Sequence, residues 1–448
     1  MLSVLAHPTY AKLFTAQVVA LLGTGLLTVA LGLLAYDLAG ESAGAVLGTA
    51  LAIKMVAYVG LAPVANALAE RLPRKAVLIG ADLVRASVAL FLPFIDAIWQ
   101  IYLLIFVLQS ASATFTPAFQ ATIPDILEDE ADYTKALSLS RLAYDLENLI
   151  SPTLAGLLLL VMSYHWLFAG TVIGFIGSAA LVLVASLPGR RQQSPRPFVE
   201  RLTRGTRIYL ATPRLRGLLS LNLAAAASGA FVIVNTVVIV RAGYGGSDTD
   251  VAYALAAFGG GSMVAALGLP RLLERVADRA VMLPAAGALA AVTFAHAFWI
   301  MAAGLASWPG LLAIWVASGL LYSAILTPSG RLLRRSAHAE DRPAVFAAQF
   351  ALSHACWLVT YPVAGWVGEA LGLPAAMALL GVIAVIGAVL AARLWPAGDP
   401  EELTHVHPDL PAGHPHLAAQ DGGHNSREHT HPFVIDDLHP AWPARPGV

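Results

Sequence analysis

From residue 281 to residue 330 the chain has no Asp, Glu, Lys or Arg. An average soluble domain has roughly 25% charged residues, whereas these 448 residues are 12% charged and 58% hydrophobic. Because a bilayer core takes about 20 apolar residues per helix, the run predicts two membrane spans, divided at residues 307–310. The apolar runs also lack the alternation of barrel strands. We therefore expect an all-α membrane protein.

Twelve such spans are predicted along the chain. They cover residues 10–36, 43–69, 76–95, 98–122, 138–162, 165–187, 216–241, 250–272, 280–303, 309–330, 343–369 and 374–395. This predicts two six-helix bundles at 1–187 and 216–396, a basic linker at 188–215 and a tail at 397–448. The two halves form an internal repeat, since Glu70-Arg71 recurs as Glu274-Arg275 at an offset of 204 residues. Same-sense repeats are typical of secondary transporters.

The positions of the basic residues predict the orientation of the spans. With both termini in the cytoplasm, cytoplasmic segments and helix ends hold 24 of the 27 Lys and Arg residues; the exceptions are Arg241, Lys54 and Arg85. The positive-inside rule then predicts a multi-pass membrane protein with a cytoplasmic linker and a cytoplasmic tail. The basic linker is interpreted as an anchor at the lipid surface, and no nucleic acid is expected as a partner.

The loop after the second predicted span carries an acidic and basic motif that resembles one of the major facilitator superfamily. Glu70, Arg71, Arg74 and Lys75 match that motif, while Asn66 and Pro73 replace its glycines. The segments 82–86 and 123–126 resemble the bacterial efflux branch, and the resemblance covers residues 1 to about 396. It implies the major facilitator fold and a place in the bacterial inner (cell) membrane. It also implies a cytoplasmic gate formed by Glu70, Arg71, Arg74, Lys75, Asp82 and Arg85. The alternative for the loop is that its basic residues only keep it on the cytoplasmic side of the membrane. The alternative for Asp82 and Arg85 is a structural i, i+3 ion pair.

Charged and polar residues inside the spans are candidate transport residues, because an ionisable group in a membrane is costly. Lys54 lies mid-span in helix two. In helix five, Arg141, Asp145 and Asn148 share one face, whereas Glu147 has no partner on its own helix and could carry a proton or meet a cation. A structural network with another helix is the alternative. His354 is a further candidate, although its i, i+2 spacing from Cys356 argues against a shared metal.

The segment from Asn148 to Gly156 resembles the antiporter motif of the same superfamily. Pro152 and Gly156 match it, while Ser151 and Ala155 replace glycines and the arginine expected in helix four is missing. The resemblance implies proton antiport.

The tail holds eight of the 13 histidines and is expected to be disordered without a ligand. Imidazoles without thiolates favour nickel, zinc, cobalt or copper(II), and three His-x-His pairs could converge on one ion in an extended chain. Random low complexity and a pH sensor are the alternatives. The predicted ligands are His405, His407, His414, His416, His424, His429, His431 and His439.

Together these features resemble nickel-resistance permeases. The expectation is a monomeric secondary exporter of a divalent transition metal, nickel first, driven by proton antiport, with membrane lipids around it and Ni, Co or Zn bound by the tail. The alternative is a drug, macrolide or siderophore exporter of the same superfamily. No phosphate-binding loop is present in the sequence, and no enzymatic activity is expected.

Overall fold

The structure, a computed structural model, describes residues 2–61, 72–127, 129–188, 198–338, 341–399, 402–406 and 428–443. Within these residues the chain is predominantly helical. The first half contains α1 (Pro8–Ala39), α2 (Ala43–Val56), α3 (Arg74–Phe91), α4 (Ile98–Ile126), α5 (Glu130–Leu159) and α6 (His165–Val184). The second contains α7 (Phe198–Ala211), α8 (Pro213–Val238), α9 (Asp248–Leu272), α10 (Asp278–Ala303), α11 (Trp308–Leu326), α12 (Ser329–Arg335), α13 (Arg342–Pro362), α14 (Gly368–Leu371) and α15 (Leu373–Leu394).

Among the described residues, ten stretches are long and apolar enough to cross a membrane. The first of them, Pro8–Gly60, contains both α1 and α2. The charged helix α5 completes the twelve, packing against α1 and α9. The prediction of an all-α protein with two six-helix bundles is therefore confirmed. Helix α5 begins earlier than the apolar run predicted, because the Asp129 carboxylate accepts a hydrogen bond from the Asp132 backbone N–H at 3.0 Å and caps it.

The two bundles meet mainly where α2 packs against α13 and α5 packs against α9, and α2 also contacts α8. We call the end of the bundle at which the chain enters α1 and leaves α15 the terminal face, and the opposite end the distal face. Near the distal face α2 touches the end of α13 and the π-helical turn Val363–Val367 that follows it, backbone against backbone. A methyl group at Gly365 would lie 2.4 Å from the carbonyl oxygen of Gly44, and one at Gly48 would lie 2.7 Å from that of Tyr361. The halves are therefore closed together at the distal face.

The predicted linker contains a helix, α7, which packs against α13. Its residues Ile208 and Tyr209 are fully buried, and Arg204 is 9% exposed. The linker helix is thus amphipathic. It carries basic side chains, and its apolar face packs against the helices of the second half.

The expectation of a disordered tail is wrong for the described residues of that segment. Strands β1 (Glu402–Val406) and β2 (Glu428–Pro432) pair antiparallel, with Leu403 opposite His431. Phe433 and Ile435, which follow β2, are 3% and 1% exposed and belong to the same apolar cluster as the helices. The short apolar stretch at 433–435 buries surface against the helices. The overall polar composition of the tail gave no indication of this stretch.

Candidate functional site

Two charged side chains from different helices approach each other inside the bundle. Lys54 lies in the last turn of α2, and Glu147 lies near the middle of α5. The ammonium and the carboxylate are close enough to interact electrostatically. Glu147 also packs against α1, since a methyl group at Gly25 would lie 3.5 Å from its Cγ. The sequence singled out both residues separately, and the structure brings them within electrostatic range of each other; we call them the Lys54–Glu147 charge pair.

Tyr58 links this charge pair to the second half of the protein. It lies in a π-helical turn, Ala57–Leu61, which continues α2, and such turns are frequent at functional sites. Lys54 Nζ is 5.7 Å from the centre of the Tyr58 ring. The centres of the Phe350 and His354 rings of α13 lie 5.6 Å and 5.2 Å from it. Lys54, Glu147 and His354 therefore belong to one site between the halves.

His354 is held in place by its own helix. Its Nδ1 lies 2.6 Å from the carbonyl oxygen of Phe350, and the centres of the two rings are 4.0 Å apart. The Cys356 thiol lies 3.5 Å from the carbonyl oxygen of Leu352, an arrangement in keeping with the different helix faces that the sequence predicted for His354 and Cys356.

Aromatic rings form a stripe along one face of α13. Phe350, His354, Trp357 and Tyr361 follow one another at spacings of four, three and four residues, which put them on one side of a helix. The ring centres of Trp357 and Tyr361 are 4.9 Å apart. This stripe was not predicted, although its helical period can be read directly from the residue numbers.

The stripe continues onto two neighbouring helices. Tyr322 of α11 lies 6.3 Å from Trp357 between ring centres, and Phe258 of α9 lies 5.5 Å from Tyr322. These three rings keep part of their surface accessible, as do Lys54 and Glu147. The rings continue the face of α13 that carries His354, which contacts Tyr58 beside Lys54. Aromatic rings next to a charge pair suit an amphipathic organic molecule better than a bare ion.

Asp82 and Arg85 form the i, i+3 ion pair of α3 that their spacing predicts. Asp82 is fully buried and Arg85 is 5% exposed. The Arg85 guanidinium carbon lies 4.3 Å from the ring centre of Phe115 of α4 and 4.4 Å from that of Phe175 of α6. This pair is enclosed by three helices of the first half, and its geometry favours the structural role over the gate role.

Part of the predicted gate motif lies at the terminal face. Arg74 forms an ion pair with Asp125 at the end of α4, and Lys75 donates a hydrogen bond to the carbonyl oxygen of Ala185 at 3.1 Å. Both contacts are within the first half. Glu70 and Arg71, the other members of the motif, lie outside the described residues.

The predicted polar face of α5 is described only in its backbone. The side chains of Arg141, Asp145, Asn148 and Pro152 lie outside the part of the chain that the structure describes. Gly156 faces the second half, because a methyl group there would lie 3.3 Å from Cβ of Ala252 in α9. This end of the antiporter-like segment therefore lies at the interface between the halves.

In the tail, three of the eight predicted metal ligands come together. One ligand nitrogen each from His405, His431 and His439 lies within 4.8 Å of the other two. These residues come from β1, from β2 and from the segment after β2, so the group is assembled from three separate stretches of chain and not from a His-x-His pair. Of His429 only the backbone is described, and the remaining ligands lie outside the described residues: His407, His414, His416 and His424.

Known proteins share this architecture. The family profile described as Major Facilitator Superfamily matches residues 13–302 and 218–419. The solved structures of the nucleoside transporter NupG and of a D-xylose-proton symporter each give a TM-score of 0.64. Their sequence identities are 14% and 13%, over 86% and 87% of this chain and 98% of each transporter. At such identities the likeness shows the fold alone.

Curated relatives share part of the sequence. Macrolide efflux protein A of Enterococcus faecalis is 27% identical over 186 residues, which are 39% of this chain and 57% of the relative. For the protein of the same name from Streptococcus pyogenes the identity is 27% over 186 residues, 38% of this chain and 46% of the relative. The chain thus spans about half the length of these curated relatives.

Proposed function

The chain belongs to the major facilitator superfamily, and on this premise we propose that it is a secondary active exporter of amphipathic organic compounds of the macrolide type. The observation that carries the proposal is the row of contacting rings Phe258, Tyr322 and Trp357, here called the aromatic wall, which continues the face of α13 whose His354 contacts Tyr58 beside Lys54. Transport proceeds by alternating access, in which the two six-helix halves rock about this site. The protein acts as a monomer among membrane lipids.

The substrate class is inferred from the relatives and from the chemistry of the wall. Macrolide efflux is the printed name of the Enterococcus faecalis relative. Aromatic rings offer a large apolar surface with limited side-chain flexibility, and they attract a cation placed over their faces. A substrate with apolar surface and one ionisable group would use both the wall and the charge pair.

Proton exchange is the proposed source of energy. When Glu147 is ionised, it attracts Lys54 or a cationic group of the substrate, and when it takes up a proton that attraction is lost. Alternate occupation of one carboxylate by a proton and by substrate would couple inward proton movement to export. Gly156 lies at the interface between the halves, which supports the interpretation of its segment as an antiporter motif.

Export requires the terminal face to be cytoplasmic, as the distribution of basic residues predicts. Two exposed positions test this, Asp96 at the distal face and Glu274 at the terminal face, each changed to Cys after Cys356→Ser. A membrane-impermeant maleimide should label the Asp96→Cys variant in intact cells and the Glu274→Cys variant only after the cells are opened. The reverse pattern would overturn the orientation and, with it, the direction of transport.

Export of a divalent metal ion is the second candidate, supported by the His405, His431 and His439 group. The site between the halves gives it less support, because the group of three or more His, Cys, Asp or Glu side chains that could hold a metal ion in the described part of the chain lies in the tail. The tail lies beyond the last membrane helix.

The two candidates are distinguished by expressing the chain in bacteria that lack their own drug and metal exporters. We expect a higher inhibitory concentration of erythromycin, a lower cellular content of the labelled drug and an unchanged nickel content. The Trp357→Ala variant should lose this protection, whereas Trp99→Ala, at an exposed tryptophan of α4, should keep it. Nickel tolerance without macrolide tolerance would overturn the proposal in favour of metal export.

A further inference from the structure

The tail histidines have a geometry that goes beyond a general affinity of histidine-rich sequence for metals. Nε2 of His405 and Nε2 of His439 are 3.0 Å apart, and His431 supplies the third ligand nitrogen within 4.8 Å. The ring centres of the three histidines are 4.7 to 5.1 Å apart. The three rings therefore surround one point.

The other ring nitrogen of each histidine faces an oxygen. Nδ1 of His405 lies 3.0 Å from the Leu403 carbonyl oxygen, and Nδ1 of His431 lies 2.8 Å from that of Pro432. Nδ1 of His439 lies 2.8 Å from a carboxylate oxygen of Asp436. Each oxygen is an acceptor, so each Nδ1 carries the hydrogen and, in the neutral ring, each Nε2 carries a lone pair. Metal-binding histidines characteristically have such an oxygen partner on the second nitrogen.

At 3.0 Å these two Nε2 atoms can either share one proton, when one ring is protonated, or bind one cation together. A metal ion, unlike a proton, also uses the third imidazole as a ligand. We propose that His405, His431 and His439 form a site for one divalent transition metal ion of the zinc, cobalt or nickel type. Three imidazoles without a thiolate select this class over copper(I), and three protein ligands leave a fourth position for water.

The site is connected to the body of the protein through the residues that follow β2. Asp436, which orients His439, also lies 3.2 Å from Nε2 of His338 in the segment between α12 and α13. Its neighbour Asp437 accepts hydrogen bonds of 3.1 Å from Arg204 of α7, which hold the pKa of Asp437 below its usual range. Phe433 and Ile435 bury their side chains in the helix cluster.

Metal binding therefore fastens the tail to α7 and to the segment that precedes α13. A bound ion fixes His439, which fixes Asp436 and Asp437 against the basic side chains of α7 and the histidine of the neighbouring segment. If the protein is the transporter proposed above, the bound ion should also change how the two halves move during transport. The metal site itself does not depend on that proposed function.

The site is tested by measuring zinc binding to the full-length protein in detergent. The protein is purified with a tag that contains no histidine and is then stripped of metal. We expect one tightly bound equivalent, which is lost in His405→Ala, His431→Ala and His439→Ala. Asp436→Asn, which removes only the oxygen partner, should weaken binding about 10- to 100-fold. The matched control is the double change His414→Ala and His416→Ala, which removes a His-x-His pair outside the site and should retain the tight equivalent.

Protease cleavage of the tail gives a second readout that requires no transport. Zinc should protect residues 428–443 from cleavage in the unsubstituted protein and in the control, and not in His439→Ala. Cobalt should show a visible spectrum of a nitrogen-bound ion in the same two proteins. Equal loss of zinc in the control and the site variants, or no tight equivalent at all, would overturn the proposal. If the tail is protected from cleavage equally with and without zinc, metal binding does not hold it against α7 and the segment before α13.

Discussion

Lys54 of α2 and Glu147 of α5 carry opposite charges and interact electrostatically inside the membrane bundle. Neutralising one partner leaves the other as an uncompensated charge in a low-dielectric site. We expect Glu147→Gln and Lys54→Met each to abolish erythromycin efflux while the protein still reaches the membrane. The measurement is drug accumulation normalised to the amount of membrane protein.

The controls for this pair lie on α5 itself. Asp132 and Lys135 form an ion pair whose side chains are 42% and 39% exposed, and exposed pairs contribute only about 0–1 kcal/mol. Asp132→Asn and Lys135→Met should therefore keep full efflux. The exchange Lys54→Glu with Glu147→Lys should recover protein stability without restoring proton coupling. Full efflux in Glu147→Gln would contradict the assignment.

The Asp82–Arg85 pair should affect stability more than transport. Asp82→Asn leaves the Arg85 guanidinium charged between Phe115 and Phe175, at a cost of about 3–5 kcal/mol. The apolar double change Asp82→Leu with Arg85→Leu should recover most of that loss. Thermal unfolding of the purified protein, followed by tryptophan fluorescence, compares the variants. A double variant that unfolds as easily as Asp82→Asn would contradict this account of stability. A double variant that folds normally and cannot transport would assign the pair to the gate.

The backbone contact at Gly365 tests whether closure of the distal face is needed for transport. A methyl group there would lie 2.4 Å from the Gly44 carbonyl oxygen, so Gly365→Ala must push α2 and α13 apart. We expect the substitution to reduce efflux strongly by disfavouring the distally closed state. Gly287→Ala in α10, where a methyl group has nothing within 4 Å, is the control and should transport normally. Equal activities would show that the closure seen here is not part of the cycle.

Arg204 should hold the linker helix and the tail together. Its Nε lies 2.5 Å from Asp341, and its Nη1 lies 3.1 Å from Asp437. Arg204→Ala leaves the Asp341 side chain, 3% exposed, without that guanidinium, and we expect faster protease cleavage of the tail and a lower unfolding temperature. Arg207→Ala is the control, since that side chain is 54% exposed and lies 3.3 Å from Asp437. An identical response of the two variants would refute this role.

The spans could be predicted from sequence because lipid leaves backbone groups no partners outside a helix, so apolar length alone locates each span. The Asp82–Arg85 pair could also be predicted, since helical geometry fixes neighbours three residues apart. The Lys54–Glu147 pair could not, because it depends on how α2 packs relative to α5. The stripe from Phe350 to Tyr361 was readable from its helical period. The histidine group required the register of β1 and β2, which composition does not encode.

Transport by purified protein in liposomes tests the central claim most directly. An imposed pH gradient, with and without a protonophore, is combined with labelled erythromycin, and drug movement is compared between the unsubstituted protein and Glu147→Gln. We predict that the unsubstituted protein moves drug against its concentration gradient only while the pH gradient lasts, and that Glu147→Gln does not. Drug movement that ignores the pH gradient, or that is equal in both proteins, would contradict proton-coupled export through Glu147.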